Sequence, residues 1–93
     1  MERKATKGQF ETLRDSTAWK DLVDELFVWV EGLRVDAENI AVRCASEDIP
    51  SDVASRMAAI GGRLEAIYHL IQLPDQIISE LEEQADARRE QTE

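Results

Sequence analysis

The only histidine is the first residue to consider for chemistry, because histidine and carboxylate clusters hold metals and carry protons in many enzymes. His69 follows Glu65 by four residues, so the two side chains share a face if this segment is helical. Di-iron helical bundles instead use a Glu-x-x-His spacing with carboxylates that point inward, whereas the inward positions here are apolar. The spacing favours a surface or interface histidine, and we expect no metal and no cofactor.

Other reactive side chains lack the companions that catalysis needs. Asp21, Asp24 and Glu25 form an acidic cluster that a solvated helix face explains, since catalytic carboxylates need a cleft that shifts their pKa values. Cys44 has no histidine–acid pair to activate it and fits a small apolar core position. The Gly61-Gly62-Arg63 segment is not a phosphate loop, because no strand precedes it and no Gly-Lys-Ser/Thr follows. We therefore expect a protein that is not an enzyme.

Two series of apolar residues, each spaced by three or four, predict the helices that carry these side chains. Pro50 and Ser51 lie between the series and indicate a helix stop followed by a helix start. The members pair in reverse order, with one imperfect pair where Leu22 meets the Pro74–Asp75 step. The first series is Trp19, Leu22, Leu26, Val30, Leu33, Ala37, Ile40 and Cys44, and the second is Val53, Met57, Ile60, Leu64, Ile67, Ile71, Pro74 and Ile78.

The predicted fold class is all-α: a long antiparallel two-helix hairpin, with helices over 17–45 and 51–73, that forms an oligomeric helical bundle. Pro74 either kinks the second helix or starts a separate C-terminal helix, because proline lacks a backbone donor and is tolerated in a first turn. The predicted domain organisation is a flexible N-terminal arm over 1–9, a hairpin domain over 10–81 and a polar helical extension over 82–93 that frays.

The first predicted helix carries more apolar residues than one seam uses, since a two-helix hairpin buries one stripe per helix. The second apolar stripe consists of Phe27, Val28, Trp29, Val35 and Val42. An uncovered stripe of this kind marks an interaction site, so we predict that these residues form a partner interface. The alternative is that Phe10, Leu13 or the C-terminal helix folds over the stripe.

Two adjacent glycines, Gly61 and Gly62, lie inside the second predicted helix. Each costs about 1 kcal/mol relative to alanine in a helix interior, so a compensating role is expected. Close approach of another helix is the favoured role, and a hinge is the alternative. The antiparallel pairing puts them opposite Val35 and Asp36, so we add both glycines to the predicted interface, where the neighbour can be another subunit.

The net charge limits the classes of partner. The chain of 93 residues has a net charge of −9 and one cysteine. An acidic body repels phosphate, so we expect no direct contact with nucleic acid. No apolar run approaches the roughly 20 residues of a membrane span, so we expect no membrane insertion. A single cysteine excludes an intrachain disulfide and is compatible with the cytoplasm.

The chain resembles small uncharacterised helical proteins encoded by tailed bacteriophages, often among virion and packaging genes. The similar segments are Leu13-Arg14-Asp15-Ser16, Trp19-Lys20-Asp21-Leu22, Gly62-Arg63-Leu64-Glu65-Ala66-Ile67 and Leu70-Ile71-Gln72-Leu73-Pro74. The resemblance implies a structural or assembly component of a phage, located in the host cytoplasm or on the virion. It brings no catalytic residues.

The expected function is therefore a protein–protein interaction module that acts through an apolar helix face. Its partner is a second copy, as a homodimer or higher oligomer, or a larger protein assembly. The alternative is an acidic phage-encoded inhibitor of a host nucleic-acid enzyme or defence complex, whose carboxylates mimic phosphates. Such an inhibitor would stay small and bind its target in a strongly salt-dependent way.

Overall fold

The computed structural model describes residues 3–46, 49 and 51–92, and these ranges form three α-helices without a strand. Helix α1 spans Lys7–Asp15, α2 spans Thr17–Ser46 and α3 spans Val53–Thr92. The all-α prediction is confirmed. The predicted helix stop at Pro50 lies outside the described residues. Helix α2 ends before this position, and α3 begins after it.

Helix α1 begins inside the segment that the sequence suggested was a polar arm. Thr6 is its N-cap: the Thr6 hydroxyl oxygen accepts from the Gln9 N–H at 3.2 Å, and the Gln9 side-chain oxygen accepts from the Thr6 N–H at 2.8 Å. This reciprocal pair is a capping box, which satisfies two backbone donors at once. Because Lys7 to Gln9 are helical, the expectation of an arm without regular structure over 1–9 is wrong for these residues.

A single residue, Ser16, separates α1 from α2. Its backbone is extended, with φ −71° and ψ 147°, and its N–H donates to the Leu13 carbonyl at 3.1 Å. The Ser16 hydroxyl donates to that same carbonyl and accepts from the Trp19 N–H at 3.1 Å. Ser16 therefore ends one helix and caps the next.

Helices α2 and α3 bury the residues that form the core. Val30 and Ile40 of α2 and Ile60, Ile77 and Ile78 of α3 are the most deeply buried apolar side chains among the described residues. Beside this core, Arg43 lies near Arg56, Asp36 lies near Arg63, and the Arg34 guanidinium donates to the Tyr68 hydroxyl at 3.3 Å. Residue numbers thus fall along α2 as they rise along the neighbouring part of α3.

Two members of the predicted seam are wrong: Met57 is 40% exposed, and Leu22 is also exposed. Leu22 is 56% exposed, whereas the adjacent Val23 is partly buried. The residues of α2 that face the core alternate in steps of four and three from Trp19 to Cys44, which is the spacing that keeps one seam against a neighbouring helix. The predicted pair at Leu22 was imperfect because Val23, one position later, is the residue that faces the core.

Helix α3 runs through Pro74 without a break, so the predicted alternative of a separate C-terminal helix does not form. Pro74 is buried within this helix. Its missing N–H removes one helical hydrogen bond, which packing on both sides of α3 has to offset. Beyond Leu81 the helix continues to Thr92, and residues 82–91 are all exposed. The predicted fraying of this extension stays a prediction.

Arg3 and helix α1 are attached to the C-terminal half of α3 by three ion pairs. Arg3 meets Glu80 at 2.7 Å, Lys7 meets Glu82 at 3.1 Å and Arg14 meets Asp75 at 3.3 Å. The molecule that results is elongated, with principal extents of 67 × 31 × 18 Å. An elongated shape leaves much of α2 open along its length, and that surface is the candidate functional site.

Candidate interaction surface

The second apolar stripe is exposed on α2. Its five side chains retain between 44% and 66% of their accessible surface. Val35 is five residues from both buried Val30 and buried Ile40, which places it about 140° away around the helix from each. Val28 and Val42 lie about 10 Å from Val35 along the helix axis, on either side. The three valines therefore form a line on the side of α2 that faces away from α3.

The fold leaves all five side chains of this stripe exposed. The sequence left open that Phe10 or Leu13 folds over it, but Leu13 is itself 43% exposed. Arg3 and two residues of α1 form ion pairs with Glu80, Glu82 and Asp75. These pairs hold α1 against α3. Residues 82–91 of α3 are all exposed.

Trp29 belongs to the second apolar stripe and also lines a groove between α2 and α3. Its indole N–H donates to the Glu25 carboxylate at 3.2 Å, which holds the ring on the helix surface. The groove has a volume of about 580 Å³. It is lined by Trp29, Gly32, Leu33, Asp36, Arg63, Ala66 and Ile67. An apolar floor with an exposed tryptophan at its rim is typical of the anchor regions of protein interfaces.

A second groove, further along the same side, is basic, which the net charge of the chain did not suggest. Arg43, Arg56 and Arg63 line it together with Asp36. Arg56 also pairs with Asp52 at 4.0 Å on its own helix. The sequence together with the pairing of α2 and α3 could have predicted this cluster. Arg43 and Arg56 are far apart in the chain but adjacent across the two helices.

The glycine pair is open rather than tightly packed. A Cβ atom added to Gly61, Gly62 or Gly32 would have no neighbouring atom within 4 Å. The close helix approach that the glycines suggested therefore does not occur within the described chain. Their membership of an interface stays a prediction.

Acidic side chains border the stripe at its N-terminal end. Asp21, Asp24, Glu25 and Glu31 are all exposed, and no basic residue occurs between positions 21 and 33. Further along α2, Arg34 and Arg43 balance Asp36 and Glu38. The exposed face of α2 is thus acidic in its first half and close to neutral in its second half.

Shifted pKa values occur away from the stripe, where α1 meets α3. Hydrogen bonds to Asp15 and Asp75 raise the pKa of the Arg14 guanidinium, and the bond from Arg14 lowers the pKa of the Asp15 carboxyl. Both side chains are exposed ion-pair partners, and no cleft surrounds them. These shifts describe how α1 is attached to the rest of the chain.

Groups that could perform chemistry are not assembled at this surface. Within the described ranges, no three histidine, cysteine or acidic side chains lie close enough to hold a metal ion. Cys44 is partly buried on α2, while Glu65 and His69 line a shallow groove on α3 with Gly62 and Ala66. None of the described helices has the length and apolar character of a membrane span. Comparisons with models of protein families, with curated proteins and with solved structures find no match.

Proposed function

We propose that this chain is a non-enzymatic protein–protein interaction module that associates with itself through the second apolar stripe. In this proposal α2 and α3 form the antiparallel hairpin of each subunit, and α2 carries the contact surface to the next subunit in an oligomeric helical bundle. The observation that carries the proposal is the exposure of five large apolar side chains on one helix. Contiguous apolar surface of this kind is uncommon on monomers.

The total exposed area supports the same proposal. The chain exposes 7426 Å², whereas a compact monomer of 10.5 kDa exposes about 5,400 Å² by the usual scaling of surface with mass. The difference is about 2,000 Å². A standard protein interface removes about 800 Å² from each partner, which is less than this excess, although the exposed residues 82–91 of α3 also contribute to it.

Val35→Glu tests the proposal directly. We expect the wild-type protein to be a dimer or larger by light scattering after gel filtration. The variant should lose at least tenfold in association constant, because a carboxylate buried without a partner costs more than the roughly 1.4 kcal/mol that a tenfold change represents. Circular dichroism should show that the variant keeps its helical content, since Val35 faces away from α3.

Leu70→Glu is the matched control. Leu70 is 43% exposed and Val35 is 44% exposed, so both changes introduce a carboxylate at an equally exposed apolar position, but on different helices. The control should keep the wild-type mass. A wild-type protein that stays monomeric at all concentrations would overturn self-association. Loss of helicity in Val35→Glu alone would instead assign Val35 to the core of the subunit.

The biological setting that we propose follows from the resemblance to bacteriophage proteins: a structural or assembly component of a phage particle. Its partner would then be further copies or a larger virion assembly. Detection of the protein in purified particles, with a defined number of copies per particle, tests this setting. Presence only in the infected-cell lysate would contradict a role in the mature virion.

The second candidate is the acidic inhibitor, and the observation that favours it is the run of exposed carboxylates on α2 and along residues 82–91. A phosphate mimic has to present its charges to a basic channel, so it should remain a monomer. Its binding to a target should weaken steeply with added salt. The same light-scattering experiment therefore separates the two candidates before any target is known.

A further inference from the structure

We infer that the second copy lies antiparallel on α2, related by a two-fold axis that passes beside Val35. This inference rests on the proposed self-association and adds the arrangement of the two subunits. It commits to one occupant of the second apolar stripe, which is α2 of another copy. Three observations carry it: the spacing of the valines, the charges beside them and the exposed area.

The spacing of the valines is symmetric about Val35. Val28 precedes it by seven residues and Val42 follows it by seven. When the second helix is reversed about Val35, Val28 lies level with Val42 of the second copy, and Val35 lies level with its own counterpart. All three valines then pack on valines, as an interface between identical surfaces requires.

The charges distinguish the antiparallel arrangement from the parallel one. A parallel pair brings equal levels of the two helices together, so the stretch 21–33, with four acidic and no basic residues, would face its own copy. In the antiparallel pair this stretch faces the end of α2, where Glu38 and Arg43 balance each other. Like charges placed opposite each other are destabilising, so the parallel pair is disfavoured.

The antiparallel pair also gives Glu25 and Arg43 a favourable contact. These residues are separated by 18 positions, or five turns, so they lie on the same side of α2. In a two-fold antiparallel pair the same sides of both helices meet, and Glu25 comes within about one turn of Arg43 of the second copy. Trp29, which already donates to Glu25 at 3.2 Å, lies beside this contact, where its ring can receive the guanidinium.

One contact opposes the pairing. Glu31 of each copy lies close to Glu38 of the other. The area available makes this cost tolerable, because the exposed surface exceeds that of a compact monomer by about 2,000 Å² and a standard interface uses about 800 Å² per partner. We therefore expect the pair to be apolar at its centre, with one attractive and one repulsive edge.

Single-cysteine variants test the arrangement. Cys44→Ala removes the native thiol, and Val28→Cys, Val35→Cys and Val42→Cys are then made one at a time and treated with a short bismaleimide. We expect Val35→Cys to cross-link with itself. Val28→Cys and Val42→Cys should each fail alone, because their thiols lie about 21 Å from their own counterparts. The two should cross-link with each other after they are mixed and refolded together.

The possible failures are distinguishable. If Val28→Cys and Val42→Cys each cross-link with themselves, the helices are parallel, and the arrangement is overturned while self-association stands. If none cross-links but light scattering in reducing buffer still shows a dimer, the subunits associate through another surface and the arrangement is again overturned. A monomer in reducing buffer overturns the proposed function itself, and the arrangement with it.

Discussion

At the scale of residues, Gly61 and Gly62 are open positions on the surface of the subunit. Neither has an atom within 4 Å of the position that a Cβ would take. Both lie within α3. A methyl group at either position therefore meets no atom of the described chain, and a contact of the glycine pair with another subunit stays a prediction.

We predict that Gly61→Ala and Gly62→Ala each stabilise the protein. Alanine is favoured over glycine in a helix interior by about 1 kcal/mol, which corresponds to a rise in Tm of about 4–8 °C for a domain of this size. Thermal unfolding followed by circular dichroism measures the effect, and light scattering should show an unchanged mass. Gly32→Ala, at an equally open position on α2, controls for propensity alone. A fall in mass for either α3 variant would place the glycine pair in an interface, as the sequence suggested.

Most of the core positions could be predicted from spacing, but Met57, which the spacing put on the seam, is 40% exposed. Periodicity correctly assigned Val30, Ile40, Ile60 and Ile78 to the interior. It failed at Leu22, because apolar residues occupy two adjacent positions and only the packing of α2 decides which one faces inward. It also missed Ile77, which is buried beside Ile78. A single seam accounts for only one of the adjacent residues Ile77 and Ile78. Both are buried because α1 also packs against the C-terminal half of α3.

At the scale of elements, α1 is the part that the sequence analysis did not recognise. The signal was present, because Thr6-Lys7-Gly8-Gln9 has the spacing of a capping box. The polar composition of residues 1–9 indicated a flexible arm instead of a helix start. The attachment of α1 to α3 depends on ion pairs between residues more than 60 positions apart, and no local pattern indicates such pairs.

We predict that Arg14→Gln loosens α1. Arg14 bridges Asp15 at 3.1 Å and Asp75 at 3.3 Å, so its loss releases a carboxylate on each of two helices. Amide hydrogen exchange of residues 7–15 should become faster at neutral pH, while the central part of α3 keeps its protection. Arg56→Gln is the control, because Arg56 pairs only with Asp52 of its own helical turn among the contacts seen. Equal exchange in wild type and Arg14→Gln would show that apolar contacts alone hold α1.

The lowered pKa of Asp15 sets the direction of the pH dependence. A carboxyl whose pKa is lower in the folded state contributes stability above its ordinary pKa and loses it as the pH falls through the folded value. The difference in exchange between wild type and Arg14→Gln should therefore be full at neutral pH and shrink below about pH 4, near the ordinary carboxyl pKa. A difference that grows on acidification would exclude the Arg14–Asp15 pair as its source.

At the scale of the whole molecule, the elongated shape explains why apolar residues of α2 stay exposed. The radius of gyration is 19.7 Å, whereas a compact domain of this length has about 12 Å. The sequence predicted an all-α fold with two long helices and an excess of apolar residues on the first of them. It did not predict the placement of α1 or the basic groove, because both arise from contacts between distant segments.

The two kinds of contact in this molecule should respond differently to salt. The ion pairs of α1 are exposed, with 36–68% of each side chain accessible, so they are open to screening. At 1 M salt the screening length is about 3 Å, comparable to the ion-pair distances themselves. The proposed contact between second apolar stripes is mainly hydrophobic, and salt does not weaken the burial of apolar surface in this way.

We predict that 1 M sodium chloride leaves the oligomer intact while α1 opens. Light scattering should give the same mass at low and high salt, and hydrogen exchange should show faster exchange of residues 7–15 in the same samples. Val35→Glu provides the control for a dissociated protein, so exchange caused by loss of the oligomer can be separated from exchange caused by screening. If the wild-type mass falls to that of Val35→Glu in high salt, ionic contacts hold the subunits together. The edge contact between Glu25 and Arg43, rather than the three valines, would then dominate the interface.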